Sequence, residues 1–142
     1  MASLAAYSAI KAYLSPLISV DTAWPNEAFE RPIAVDGSLD PFVIVELNST
    51  SFGQQSIGAN TQAENRWDEE GTFWAHLFVA AGTGLDVVLA LADTIKDALR
   101  GTTLLSGDLE FGDVETLPGE PGDEDGAYYR ISLMARWRRL EI

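Results

Sequence analysis

Few side chains in this sequence have the type and spacing that chemistry requires. The one histidine, His76, stands within an apolar run, and the sequence pairs it with neither a nucleophile nor an orienting carboxylate. The chain has no cysteine, which excludes thiolate catalysis, disulfides and zinc–thiolate sites, and a single histidine excludes a histidine triad of metal ligands. We therefore predict no catalytic residue, no metal site and no cofactor, and we interpret His76 as an ordinary strand residue.

Two further motifs carry weak chemical signals. Gly82-Thr83-Gly84 precedes a predicted helix, where backbone amides can bind an anion, but it lacks the other residues of a dinucleotide or phosphate loop. We interpret it as a tight strand-to-helix turn. The acidic clusters Asp68-Glu69-Glu70 and 120–125 lack the spacing of a calcium loop, and we predict solvated loops for both. The sequence singles out no carboxylate pair for glycoside chemistry, although it does not exclude one.

The strongest compositional feature of the chain is its charge. Its 142 residues carry 9 Lys and Arg against 22 Asp and Glu, and the net charge of −13 disfavours binding to nucleic acid or to an anionic membrane. The sign reverses only near the C-terminal end, where Arg130, Arg136, Arg138 and Arg139 stand against Glu141 alone. We predict that these four arginines form a protein–protein or subunit contact, with an ordinary solvated strand face as the alternative.

The four tryptophans are many for a chain of this length, and tryptophan is common both in cores and at interaction hot spots. Trp74 and Trp137 fall on predicted strands, so we assign them to the core. Trp24 and Trp67 fall in predicted connections, where an interface and local packing are both open.

Two helices must help to position these side chains. Helical spacing of apolar residues predicts a first helix that is capped by Ser3 and ends near Leu14. A second helix is predicted to begin with a Thr83–Asp86 capping box and to end at Gly101. The N-terminal stretch lacks a basic region, and no uncharged apolar window is long enough to cross a bilayer, so we expect neither a signal peptide nor a membrane span.

Alternation and apolar runs predict the strands 41–47, 72–80, 108–117 with a bulge at Gly112, and 128–138. Between them, 48–65 reads as a long polar loop or arm and 118–126 as an acidic hairpin loop. The whole predicts a single domain over 1–142 of the α+β class. We expect a mainly antiparallel sheet of about four to five strands, with both helices packed on one face.

Several short stretches occur together in an order typical of one family. They are Trp24-Pro25-Asn26-Glu27-Ala28-Phe29, the strand 42–47, the polar residues Phe52, Gln54, Ile57 and Gly58, then Arg66 and Gly71, and finally 77–84 with the helix that ends Leu99-Arg100-Gly101. In these features the chain resembles the tail terminator (tail completion) proteins of long, non-contractile-tailed bacteriophages, the lambda-type minor tail proteins. It departs from their usual pattern at Ala80 and Ala81, one of which replaces a proline.

The resemblance implies a structural virion protein, not an enzyme, that is made in the host bacterial cytoplasm and lies at the head-proximal end of the tail. It implies a hexameric ring that caps the tail tube, ends tube polymerisation and offers a surface to the neck or stopper protein. Genomic DNA would pass through the lumen without specific binding, and no membrane is involved. The expected subunit or partner contacts are Arg130, Arg136, Arg138, Arg139, Trp24, Phe52 and Trp67.

Two alternatives stay open at this point. The first is another tail or neck component, such as a tube, stopper or connector protein. The second is a small α+β ligand-binding or enzyme domain, which would need a pocket with convergent polar groups near His76 or 82–84.

Overall fold

A computed structural model of the chain describes residues 3–54, 67–122 and 126–141. Its elements are α1 (Leu4–Leu14), β1 (Asp21–Ala23), β2 (Phe42–Gln54), β3 (Trp67–Ala80), α2 (Asp86–Leu99), β4 (Thr103–Leu104), β5 (Leu109–Thr116), β6 (Glu120–Pro121) and β7 (Tyr128–Glu141). A short 3-10 turn, Leu105–Gly107, joins β4 to β5.

The strands form one seven-stranded sheet in the order β1-β2-β3-β7-β5-β4, and β6 pairs with β7. β1 runs parallel to β2, and the other pairs are antiparallel. The α+β class is therefore confirmed. The expected sheet of about four to five antiparallel strands is wrong, because β1, β4 and β6 are only 3, 2 and 2 residues long, too short to show an alternating pattern.

Both helices pack against the same face of this sheet. Residues two apart along a strand share a face, so alternate residues of the long strands meet the apolar sides of α1 and α2. Burying each large aliphatic or aromatic side chain contributes about 1.5–3 kcal/mol. The shared core includes Ala6, Ile10, Leu14, Val43, Val45, Leu47, Phe73, Ala75, Leu77, Val88, Ala92, Ile95, Leu99, Ile131, Leu133, Ala135 and Trp137.

The first helix follows its sequence signals, and the second follows them only at its C-terminal end. Ser3 Oγ accepts a hydrogen bond from the Ala6 amide at 3.3 Å, and α1 ends at Leu14 as expected. The predicted capping box is wrong, because Thr83 Oγ1 donates to the Ala80 carbonyl at 2.7 Å and α2 begins with no side-chain cap. Gly101 follows α2 with a φ of 69°, the left-handed geometry that glycine tolerates at a helix end.

The predicted loop 48–65 is wrong in its first part. Residues 48–54 continue β2 beyond the core and pair with Trp67–Thr72, while 55–65 lie outside the described residues. The polar composition of 48–54 hides the strand, since the period-two pattern depends on one face being apolar.

In the predicted acidic loop, β6 occupies Glu120–Pro121, and 123–125 are not among the described residues. The predicted bulge near Gly112 is confirmed by a register shift between Phe111 and Val114.

Candidate interaction surfaces

The four arginines of the predicted contact lie along β7, and two of the more exposed ones are paired with acids of neighbouring strands. Arg130 contacts Glu120 of β6. Arg138 Nε lies 2.9 and 2.8 Å from the two carboxylate oxygens of Asp68, and this hydrogen bond raises the pKa of the guanidinium above its usual value. The charges of Arg130 and Arg138 are therefore largely balanced by acids of the same subunit. The positively charged surface is smaller than the four arginines in the sequence had indicated.

Arg139 belongs to a buried network that ties β7, β3 and the start of α1 together. Its Nε donates to Glu69 Oε1 at 3.0 Å, and Glu69 also accepts from the Ser3 amide at 2.9 Å and the Ser3 hydroxyl at 2.6 Å. Glu69 is 1% exposed and Arg139 8%. Burial by itself raises the pKa of Glu69, but the Ser3 bonds and the Arg139 guanidinium outweigh it, and the pKa lies below its usual value.

This network corrects the interpretation of the first acidic cluster. Asp68 and Glu69 are buried on β3 instead of lying in a solvated loop, and only Glu70 is exposed. Burial of a carboxylate is tolerated when a cation and hydrogen-bond donors compensate its charge, and those partners lie far away in sequence. Spacing along the chain could not reveal them.

Arg136 is the exposed member of the group. No hydrogen bond or ion pair from any residue in the described ranges reaches its guanidinium. It lines a groove of about 560 Å³ on the sheet face opposite the helices, together with Thr50, Glu70, Thr72 and Glu110. Of the four arginines, Arg136 is thus the one whose charge is available to another molecule.

The aromatic contacts separate into buried and exposed residues. Trp24 is 6% exposed and packs edge-to-face on Tyr7, with ring centroids 6.4 Å apart, so it belongs to the core. Phe52 is 48% exposed and stacks on Trp67 with ring centroids 5.8 Å apart. This pair, with Trp67 only partly exposed, lies where the described part of the β2–β3 pairing ends, and tryptophan is enriched at interaction hot spots.

The two tryptophans that were assigned to the core differ in outcome. Trp137 is buried against the helices, as predicted. Trp74 is only partly buried and lies on the opposite sheet face, where it stacks on His76 with ring centroids 5.8 Å apart. A one-residue shift along a strand moves a side chain from one sheet face to the other. Because the run 72–80 is apolar throughout, its sequence does not show which of its residues face the helices.

Sequence reasoning missed a polar group around His76. His76 Nδ1 lies 2.6 Å from Ser132 Oγ, and Nε2 lies 3.5 Å from a carboxylate oxygen of Glu46. Serine, histidine and a carboxylate are the components of a hydrolytic triad. Ser132, however, is 7% exposed, and β3 and β7 are interior strands whose backbone amides bond to their neighbouring strands, so these two strands offer no free amide to an oxyanion. The group fits a hydrogen-bonded sheet face.

The turn 82–84 borders a cavity of about 380 Å³, lined by residues that include Ala81, Leu85, Tyr128 and Tyr129. Gly82 and Gly84 have φ values of 82° and 84°, which fits the predicted tight turn. Among the described residues the cavity lining carries no charged side chain and few polar groups beyond the tyrosine hydroxyls, so this part of it shows no convergent polar set of the kind a catalytic pocket has. Within the described ranges no cluster of acids and histidine could hold a metal ion, and no helix is long and apolar enough to span a membrane.

Among the described residues the sheet has a partly unpaired edge on each side. β1 covers only Phe42–Ile44 of β2, so in the described part of the chain the outer edge of β2 from residue 45 to 54 has no strand beside it. On the other side β4 covers Leu109 and Glu110 of β5, and the Phe111 amide donates to the Thr102 carbonyl, so no described strand lies beside the edge 112–116. Such edges present backbone N–H and C=O groups that can pair with another chain.

Comparison with known proteins places these features in context. Residues 5–137 match the family model described as phage tail terminator protein. One solved chain has a TM-score of 0.70 at 14% identity, with 100% of this chain and 97% of that chain covered. A chain from a structure titled virion of native gene transfer agent (GTA) particle has a TM-score of 0.61 at 18% identity, covering 98% of this chain and 100% of that one. No curated protein gives a significant match.

Proposed function

Since this chain belongs to the phage tail terminator family and is a structural component of the phage tail, we propose that it forms a ring that caps the head-proximal end of the tail tube. The ring, a hexamer in this proposal, ends tube polymerisation and provides the surface to which the neck or stopper protein attaches. The family match over residues 5–137 carries this proposal. The shared fold with a chain of a GTA virion supports a place in such a particle.

A closed ring needs two unlike, complementary surfaces on every subunit. The unpaired edges of β2 and β5 lie on opposite sides of the sheet and differ in sequence, which meets that requirement. The net charge of −13 disfavours a grip on DNA, so in this proposal genomic DNA passes through the lumen without specific contacts. The proposal includes no catalysis, no cofactor and no membrane contact.

The expected contact residues divide by their surroundings. In this proposal Arg136, Phe52 and Trp67 contact another subunit or the tube, because their side chains reach the surface. Arg139 and Trp24 instead stabilise the subunit from within. Arg130 and Arg138 are half-exposed and ion-paired with Glu120 and Asp68, so in this proposal each would take part in a contact as an ion pair and not as a free cation.

Deletion of the gene in its phage tests the proposal. We expect tails of irregular, excess length that do not join heads, as seen by negative-stain electron microscopy, and normal tails when the gene is supplied on a plasmid. A tube protein would give no tails on deletion, whereas a stopper or connector would give tails of normal length that fail to join heads. Either result would overturn the terminator role while leaving a role in the tail or neck.

A further inference from the structure

We propose that a short hairpin, residues 32–40, is the element of the subunit that binds the neck or stopper protein. Its side chains Ile33 and Val35 insert into an apolar pocket of that protein, and lysine or arginine side chains border the pocket. This inference rests on the proposed function and names the surface that meets one of its partners. The hairpin lies in the chain between β1 and β2.

The tip of this hairpin exposes two large apolar side chains. Val35 is fully exposed and Ile33 is 63% exposed. A single exposed apolar residue is ordinary on a protein surface and needs no explanation. Two β-branched residues at one turn of a strongly acidic chain form a small apolar surface that a partner can bury.

Hydrogen bonds hold the hairpin in one conformation. Ile33 and Leu39 form an antiparallel bridge, and the Ala34 amide donates to the Ser38 carbonyl at 2.9 Å. Asp36 Oδ1 accepts from the Ser38 amide at 3.0 Å and from the Ser38 hydroxyl at 2.7 Å. A preformed element loses less conformational freedom on binding, so more of the contact energy is available for affinity.

The base of the hairpin is attached to the sheet face opposite the helices. Leu39 packs against a buried cluster of three aromatic side chains, Phe42, Phe78 and Tyr128. The Arg31 guanidinium lies over two of these rings, 6.0 Å from the centroid of Phe42 and 5.1 Å from that of Tyr128. These contacts fix the position of the tip relative to the sheet.

The charges around the tip indicate what borders the partner's pocket. Residues 30–40 contain three exposed acids and one arginine, namely Glu30, Asp36, Asp40 and Arg31. The arginine is engaged with aromatic rings, so the surroundings of the tip are negative. Complementary charge at the rim of an interface speeds association and suppresses wrong partners. A pocket bordered by lysine or arginine therefore fits this tip.

A second copy of this chain fits the tip poorly. Among the described residues, the apolar cavity beside 82–84 has no cation in its lining, and the groove at Arg136 also contains Glu70 and Glu110. Two copies with a net charge of −13 each also repel one another. The occupant that we assign is therefore a different protein.

The place of the hairpin on the sheet selects the neck protein over the tube. β2 begins at Phe42, beside the hairpin, and reaches Phe52 ten residues later, so the two sites lie roughly 30 Å apart at opposite ends of the sheet. In the proposed function Phe52 and Trp67 contact another subunit or the tube. A cap has the tube on one side and the neck on the other, which leaves the neck for the hairpin end.

Two double variants, supplied on a plasmid to the phage that lacks the gene, test this assignment. I33T/V35T places a hydroxyl on both side chains and keeps their β-branched shape. I33V/V35I, the matched control, exchanges the two residues and conserves the apolar volume. Both variants change exposed positions, so the midpoint of urea unfolding should stay that of the unmodified protein.

Tails assembled with I33T/V35T should contain the variant and have normal length. Mixed with DNA-filled heads, they should give at least about tenfold fewer joined particles by electron microscopy, the loss typical of truncating a hot-spot side chain. Tails with I33V/V35I should join heads as well as unmodified tails do. An equal loss in both variants would refute burial of an apolar tip.

Three other results separate the proposals. Normal joining by I33T/V35T would refute a contact at the hairpin while the terminator role stands. Absence of I33T/V35T from tails, or tails of excess length, would assign the hairpin to the tube or to another subunit and overturn its assignment to the neck. If the unmodified protein is itself absent from purified tails, the proposed function fails.

The charge of the pocket has a test of its own. D36N/D40N removes two negative charges and keeps a side-chain oxygen for the bonds from Ser38. Tails with this variant should join heads severalfold more slowly at low salt, and the difference should disappear at high salt, because screening removes the attraction. Unchanged or faster joining at low salt would overturn the assignment of a basic pocket.

Discussion

The buried ion pair between Arg139 and Glu69 offers a sharp test of how this subunit is held together. Replacing Arg139 by Met removes the charge and keeps most of the apolar stem, so packing changes little. Arg136→Met is the matched control, because it makes the same chemical change on the same strand at an exposed residue without a partner among those described.

The expected cost follows from the surroundings of Glu69. Removing one partner of a buried pair costs about 3–5 kcal/mol, because the other charge stays buried without compensation. Glu69 keeps its two hydrogen bonds from Ser3, which places our expectation near the lower limit, about 3 kcal/mol. For a chain of this size that loss lowers Tm by roughly 6–12 °C. Arg136→Met should change stability by no more than about 0.5 kcal/mol.

Urea unfolding followed by tryptophan fluorescence measures both variants at pH 7 and again at acid pH. The folded-state pKa of Glu69 is lowered, so its contribution is present above the unfolded value near 4.5 and is lost as the pH falls through the folded value. Because Arg139 helps to lower that pKa, the gap between Arg139→Met and the unmodified protein should narrow below about pH 4.5. The double variant E69Q/R139M should recover much of the loss at pH 7.

An equal effect of the two single variants at pH 7 would refute this reasoning. So would a gap that stays constant from pH 7 to pH 3, because the loss would then come from packing and not from an uncompensated carboxylate.

Three other predictions use the same methods. Gly71→Ala should lower the free energy of unfolding by roughly 1–3 kcal/mol or more, because a Cβ there would lie 2.1 Å from the Asn48 carbonyl oxygen and 2.4 Å from the Trp137 ring. Gly53→Ala is the control: it has open space around it and should be near neutral in urea unfolding. Phe52→Ser should leave the unfolding midpoint unchanged but reduce incorporation into purified tails, and unchanged incorporation would exclude a contact there. Arg136→Glu should weaken assembly more at low salt than at high salt, whereas a salt-independent loss would point to misfolding.

The sequence predicted elements best where one local signal sufficed. Ser3 capped α1 as expected, because a serine before an apolar helical pattern satisfies a free amide locally. The bulge near Gly112 was visible as a shift in apolar phase. The short strands and the polar half of β2 were missed, because their stability comes from pairing with neighbouring strands and not from their own residues.

The contact residues show the same division. The four arginines stood out by charge alone, but the roles of Arg138 and Arg139 depend on Asp68 and Glu69, each 70 residues away in sequence. The polar group around His76 likewise required the register of three strands. Neither arrangement leaves a spacing signature along the chain.

The sequence by itself determined the acidic composition, the lack of thiol and histidine-cluster chemistry, the two helices and the family resemblance that the family match confirmed. Only the tertiary structure decided which acids are buried, which arginine is exposed and where the sheet ends without a partner. Local propensities and composition act between near neighbours, whereas ion pairing, strand register and free edges depend on which distant segments the fold places side by side.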